Sequence, residues 1–120
     1  MPRDGEHQVI KAIALYKKPA DPEGFDEKYF ASHVPLVQRT PGLVRIEVAT
    51  VNRVVLAGFL GDTEPHLIAE MYFESADTAR DAFKSPEWQA GGANLAEIGG
   101  MELVTMFLAE VVPAETVAAG

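Results

Sequence analysis

The order of elements predicts an α+β fold of the ferredoxin-like type, βαββαβ, with a four-stranded antiparallel sheet and both helical segments on one face. Two observations carry this. Apolar runs rich in β-branched residues stand at 8–16, 43–51, 66–73 and 101–111. Helix-period stretches opening at 22 and 76 fall after the first and third of these runs, so the chain alternates as two βαβ-like halves.

The first run, QVIKAIALY, ends at the loop KKPADPEG. Asp21 there is an N-cap, Pro22 a first helical residue and Glu23 an acid at the positive end of the helix dipole. Phe25, Tyr29, His33 and Val37 then recur every four residues, making an apolar aromatic stripe, with Asp26, Glu27 and Lys28 turned to water. Pro35 lacks the N–H owed to Ala31 and is expected to force Val34 out of helical dihedrals, breaking the helix beside His33.

TPGL at 40–43 is a turn. From it the second strand alternates Val44, Ile46, Val48 and Thr50 against Arg45, Glu47, Ala49 and Val51. After the connector AGFLGDTEP, the third strand sets Leu67, Ala69, Met71 and Phe73 against His66, Ile68, Glu70 and Tyr72. Ser75 and Ser85 are expected N-caps of two short helical pieces, the second carrying Trp88 and Leu95 and interrupted at Gly91 and Gly92. The last strand is expected from Met101 to about Val111.

The 120 residues suit one domain, with a core at about 8–112 and tails at 1–7 and 113–120. With no cysteine, disulfides, thiolate nucleophiles and cysteine metal sites are excluded. A net charge of −8 and scattered Lys and Arg argue against a nucleic-acid partner and against anionic membranes. No apolar run approaches the roughly 18 residues of a membrane span, and MPRDGEHQ does not read as a signal peptide. A cytoplasmic protein is expected.

One sheet face is mostly apolar, with Val44, Ile46 and Val48 beside Leu67, Met71 and Phe73, and suits the helices. The other mixes Arg45, Glu47, His66, Glu70 and Tyr72 with Ile68 and Ala49, too apolar for an easy solvent face and too polar for a dry core. A second copy packed sheet to sheet resolves this, giving a homodimer with a cavity between the sheets or between each sheet and its own helices. The alternative is a monomer with that face solvated.

LYKKPADPEGFDEKYFASHVPL, PGLVRIEV, LIAEMYFES and SPEWQAGGANLAEIGG together resemble the EthD domain family over about residues 8–112. The most specific part is the run of Tyr16, Pro22, Phe25, Tyr29, His33, Pro35 and Leu36. The resemblance implies a dimeric α+β barrel, as in related muconolactone-type isomerases and cofactor-free monooxygenases, and a pocket near His33. It implies a range of reactions: isomerisation of methylmuconolactones, decarboxylation or oxygenation of anthrone-type polyketides, and a part in ether degradation.

His33 is the candidate general acid or base, since imidazole titrates near neutral pH; the plainer reading is a satisfied core histidine. Glu70 and Tyr72 are candidate substrate contacts in a polar lumen with Arg45 and Glu47, or members of a cross-strand ion-pair ladder. Tyr29, Phe30 and Trp88, with Phe83, form an aromatic wall for a planar ligand or simply pack the core. Tyr16 sets its hydroxyl at a cavity mouth or caps the barrel. His7, His33 and His66 lack metal-ligand spacing, and no nucleotide-binding or serine-hydrolase motif occurs. The expected protein is a small-molecule enzyme without metal or organic cofactor, or a non-catalytic ligand-binding dimer.

Overall fold

The strands and helices form in the predicted order in a computed structural model, which describes residues 8–113. Of the expected tails at 1–7 and 113–120, all but Pro113 lie outside the described residues, His7 among them. Strands β1 (Ile10–Lys17), β2 (Leu43–Thr50), β3 (Pro65–Phe73) and β4 (Val104–Glu110) make one sheet in the order β2-β3-β1-β4. Every neighbouring pair is antiparallel. Helices α1 (Pro22–Lys28), α2 (Val34–Val37), α3 (Ala76–Phe83) and α4 (Pro86–Glu97) supply the layer over one face.

The predicted caps form. Asp21 accepts from the Gly24 N–H, Ser75 from Thr78 and Ser85 from Trp88, and Pro22 and Pro86 open their helices where no intrahelical N–H is needed. The stripe of Phe25, Tyr29, His33 and Val37 is the buried set of its segment, each no more than 6% exposed. It packs on the inward residues of the central strands, Ala12, Ala14 and Tyr16 from β1 and Leu67, Ala69, Met71 and Phe73 from β3.

Several local expectations are corrected. Val34 stays helical, at φ −57° and ψ −46°, and the chain does not break before Pro35. Between α1 and α2 the residues Tyr29–His33 form a π-helical turn, in which the Val34 N–H donates to the Tyr29 carbonyl, five residues back. This wider turn absorbs the proline: adding a residue to the ring shifts the carbonyl that the Pro35 ring would otherwise strike. In β2 the register shifts between Leu43 and Arg45, so Leu43 rather than Val44 stands opposite Phe73. Val44, the extra residue of this bulge, is left 54% exposed.

Helix α4 runs through Gly91 and Gly92 without interruption, because it is held by packing against α2. The final strand begins at Val104, three residues later than expected, after a turn at 101–103. Asp26 does not face water alone; its carboxylate lies 2.8 Å from the His66 imidazole of β3. Between β2 and β3 an arm at 51–64 carries Val55, Leu56 and Phe59 at 89, 87 and 98% exposure.

Candidate active site

The helical layer does not close fully on the sheet. A cavity of about 210 Å³ remains between them, its floor formed by inward residues such as Ala14, Tyr16, Met71 and Met106. Its helical wall is Tyr29, His33 and Val37 on one side and Trp88, Gly91, Gly92 and Leu95 of α4 on the other, with Met101 at the edge. The glycines make the room: a Cβ on Gly91 would stand 3.6 Å from a Val37 methyl, in space the cavity now occupies. Apart from His33, no lining residue has a side chain that takes up charge near neutral pH.

Tyr29 is the hub of the aromatic wall. Its ring centroid lies 5.2 Å from Tyr16, 5.6 Å from Phe25 and 5.1 Å from His33. These tilted and edge-on contacts fit the ring quadrupoles and fix the four rings against one another. Burial pushes the Tyr16 and Tyr29 hydroxyls well above the usual phenol range, so both keep their protons, and the two hydroxyls pair with each other.

His33 closes the π-turn and is 6% exposed. Loss of water holds its pKa below the ordinary histidine value; the Asn94 side chain and the Gly91 carbonyl oppose that shift without cancelling it. Its Nδ1 lies 3.2 Å from the Asn94 Oδ1 of α4. A neutral imidazole and two protonated phenols therefore meet in one apolar chamber, a set able to accept a proton and to hydrogen-bond the oxygen of a bound molecule.

A family model described as the EthD domain matches residues 17–97. The chain belongs to the EthD family. It is 35% identical over 105 residues to an uncharacterised 11.0 kDa protein of the thcB–thcC intergenic region of Rhodococcus erythropolis, across 85% of this chain and 95% of that protein. An ethyl tert-butyl ether degradation (EthD) family protein from Bacillus halodurans superposes with a TM-score of 0.77 at 30% identity, across 87% of this chain and 99% of the other. SnoaB of Streptomyces nogalater, a cofactor-independent oxygenase, matches at TM-score 0.55 and 17% identity, across 88% and 93% of the two chains. A hydroxynitrile lyase, a monooxygenase assigned to antibiotic biosynthesis and ferredoxin-like proteins described as dimeric share the fold at under 20% identity, which bears on fold alone.

Within this EthD chain, the sheet divides the residues singled out from the sequence. His33, Tyr16, Tyr29 and Trp88 meet at the cavity. Phe30 does not line it; its ring packs edge-on to Tyr29 from outside and is 44% exposed. Glu70 and Tyr72 project from the opposite face, as β3 alternation requires. There the Lys11 Nζ meets Glu70 at 2.8 Å, Arg45 stacks 3.7 Å over the Tyr72 ring, and the Tyr72 hydroxyl donates to Glu47 at 3.3 Å. That is the cross-strand ladder.

His66 pairs with Asp26, and among the described residues no group of three or more His, Asp or Glu converges as a metal site. No helix among them is long and apolar enough to cross a membrane. Two features escaped the sequence reading. Three of the four methionines, Met71, Met101 and Met106, line the cavity, giving it a polarisable and adaptable wall. Asn94 is the partner of His33; its signal was its place beside the face of α4 marked by positions 88, 91 and 95.

Proposed function

We propose that this EthD protein is a cytoplasmic homodimeric enzyme that removes a proton from a neutral, apolar, oxygen-bearing small molecule without a metal or organic cofactor. The observation that carries the reading is the chamber at His33: apolar, free of fixed charge, and furnished with one neutral imidazole and two phenols. An uncharged carbonyl compound or phenol is desolvated cheaply there, whereas a carboxylate would enter with no cation to meet it. The volume, about 210 Å³, suits a molecule of one to two rings. For a ketone substrate, the α-C–H bond breaks, the proton passes to His33, and the electron pair moves onto oxygen as an enolate held by the phenolic O–H groups. Isomerisation of a ketone and cofactor-free oxygenation both pass through such a carbanion equivalent, so one proton acceptor supports either reaction.

The dimer reading is supported by apolar surface left uncovered. Phe107 on the open sheet face is 48% exposed, Ile13, Leu15 and Ile68 beside it are only half-buried, and the arm at 51–64 presents Val55, Leu56 and Phe59. Sedimentation equilibrium tests it: a monomer at micromolar concentration ends the dimer reading.

The enzymatic reading is tested with 2-tetralone, a neutral ketone with exchangeable α-hydrogens, in deuterated buffer. Proton NMR is expected to show exchange accelerated by the protein and reduced at least 100-fold in His33→Gln, whose fold is checked by circular dichroism. Full exchange in that variant removes His33 from the role. Binding of the ketone without accelerated exchange favours the second reading, a ligand-binding accessory dimer, which the mostly apolar wall also suits.

A further inference from the structure

Of the hydrogen bonds at His33, those running from Lys28 through Ser32 and Asn94 form a short chain with one consistent polarity, beside which the Gly91 carbonyl is a second acceptor for the ring. Ser32 Oγ lies 2.6 Å from the Lys28 carbonyl, an oxygen that can only accept, so the single hydroxyl proton points there. The same Oγ has a second contact, 3.4 Å from Asn94 Nδ2, and its proton being committed, it can only accept at that contact. The amide of Asn94 is thereby oriented with its NH₂ toward Ser32 and its oxygen on the other side, 3.2 Å from Nδ1 of His33. A carbonyl oxygen holds no proton, so Nδ1 supplies the one between them.

We infer that Ser32 and Asn94 are positioning residues that fix His33 as its Nδ1–H tautomer, leaving Nε2 as the basic nitrogen for a molecule in the cavity. A neutral imidazole carries one N–H; with Nδ1 donating to Asn94, the lone pair available for proton acceptance is on Nε2. The anchor of the chain is main chain, the Lys28 carbonyl at the entry to the π-turn, so the tautomer is set by the backbone that also places the ring. Ser32 and His33 are adjacent in sequence yet both reach Asn94, which lies on α4, 61 positions from His33. Its catalytic meaning rests on reading His33 as the proton acceptor, but the tautomer is measurable with no substrate and no turnover.

The experiment is two-bond nitrogen–proton correlation NMR on ¹⁵N-histidine-labelled full-length protein above the histidine pKa, with the His33 signals assigned by comparison with His33→Gln. A pyrrole-type Nδ1 and a pyridine-type Nε2 are expected in the unaltered protein. Asn94→Leu is expected to release the ring to a mixed or Nε2–H form, and Asn94→Asp, which keeps an acceptor oxygen, to retain Nδ1–H. Ser32→Ala serves if Asn94→Leu does not fold; it is expected to let the amide turn and give the mixed form, with Ser32→Thr restoring the original pattern. A residue that merely packs would change stability without changing these signatures. An Nε2–H tautomer in the unaltered protein, for instance one held by the Gly91 carbonyl, overturns the inference, as does an unchanged Nδ1–H signal in folded Asn94→Leu or Ser32→Ala. If instead the tautomer is as inferred but 2-tetralone exchange is independent of His33, the relay stands and the proton-transfer reading fails.

Discussion

The two faces of the sheet are built from alternate residues of the same strands, yet they treat polarity in opposite ways. On the helix side, Tyr16, Tyr29 and His33 sit nearly out of water and are kept neutral by desolvation. On the open side, Lys11, Arg45 and Glu47 stay charged, each held so by an ionic partner: Glu70 holds Lys11 above the usual ammonium range, and Arg45 holds the Glu47 carboxyl below its usual range. The lesson is that a strand's period of two partitions chemistry as well as hydrophobicity. Neutral proton-transfer groups accumulate where water is excluded, and ion pairs where it is admitted.

The largest contrast should come from two consecutive residues of β3. Phe73 is fully buried against Phe83, so Phe73→Ala should cost about 3–5 kcal/mol in urea unfolding. Tyr72→Ala should cost about 1 kcal/mol or less, mostly its stacking with Arg45. Equal costs would break the comparison by showing that the proposed dimer covers Tyr72 as firmly as the core covers Phe73.

The next contrast is in pH. Because the folded state holds the His33 pKa below its unfolded value of about 6.5, the neutral ring's contribution is complete above that pH and is lost as pH falls toward the folded-state pKa. Stability should decline there with a slope of up to about 1.4 kcal/mol per pH unit. His33→Gln should flatten that limb in urea titrations at successive pH values; an unchanged slope would assign it to another group.

A smaller effect separates stability from binding. Gly91→Ala places a methyl at ordinary contact distance from Val37 and should stabilise α4 by about 0.5–1 kcal/mol, since glycine inside a helix is unfavourable. The same methyl narrows the cavity, so calorimetry with 2-tetralone should show weaker binding by a more stable protein. The smallest effect belongs to the Lys11–Glu70 pair, whose side chains remain 26 and 30% exposed. Glu70→Gln should cost below about 1 kcal/mol and less still in added salt, and a large salt-insensitive loss would place that pair inside an interface.

What the sequence revealed follows the range of the forces involved. Caps at Asp21, Ser75 and Ser85 and the stripe through Phe25, Tyr29, His33 and Val37 are local patterns, and the folded chain keeps them. The rule for the residue before proline failed at Val34 because a π-turn changes which carbonyl meets the ring, and no local propensity announces it. Val44 was read inward because alternation assumes one residue per pleat, which the bulge violates. His33, Tyr16, Tyr29 and Trp88 could be drawn together from periodicity and family resemblance. Asn94 offered only its place beside the cavity face of α4, since its link to His33 exists only once α4 has docked beside the π-turn.

That π-turn also makes chain length a determinant of chemistry. The segment Tyr29–His33 holds one residue more than a regular helix of the same rise requires. Deleting one residue there would close the turn to a regular helix and leave α2 in nearly its present orientation, because the π-turn takes up the extra residue locally, but the residues within the turn would change the face they present. Tyr29 and Val37 would keep their places while the side chains between them changed face, and no single substitution would mimic that outcome. Among relatives of this chain, a one-residue gap at this point should therefore accompany a change in the group presented to the cavity, making the gap itself a marker of altered reactivity.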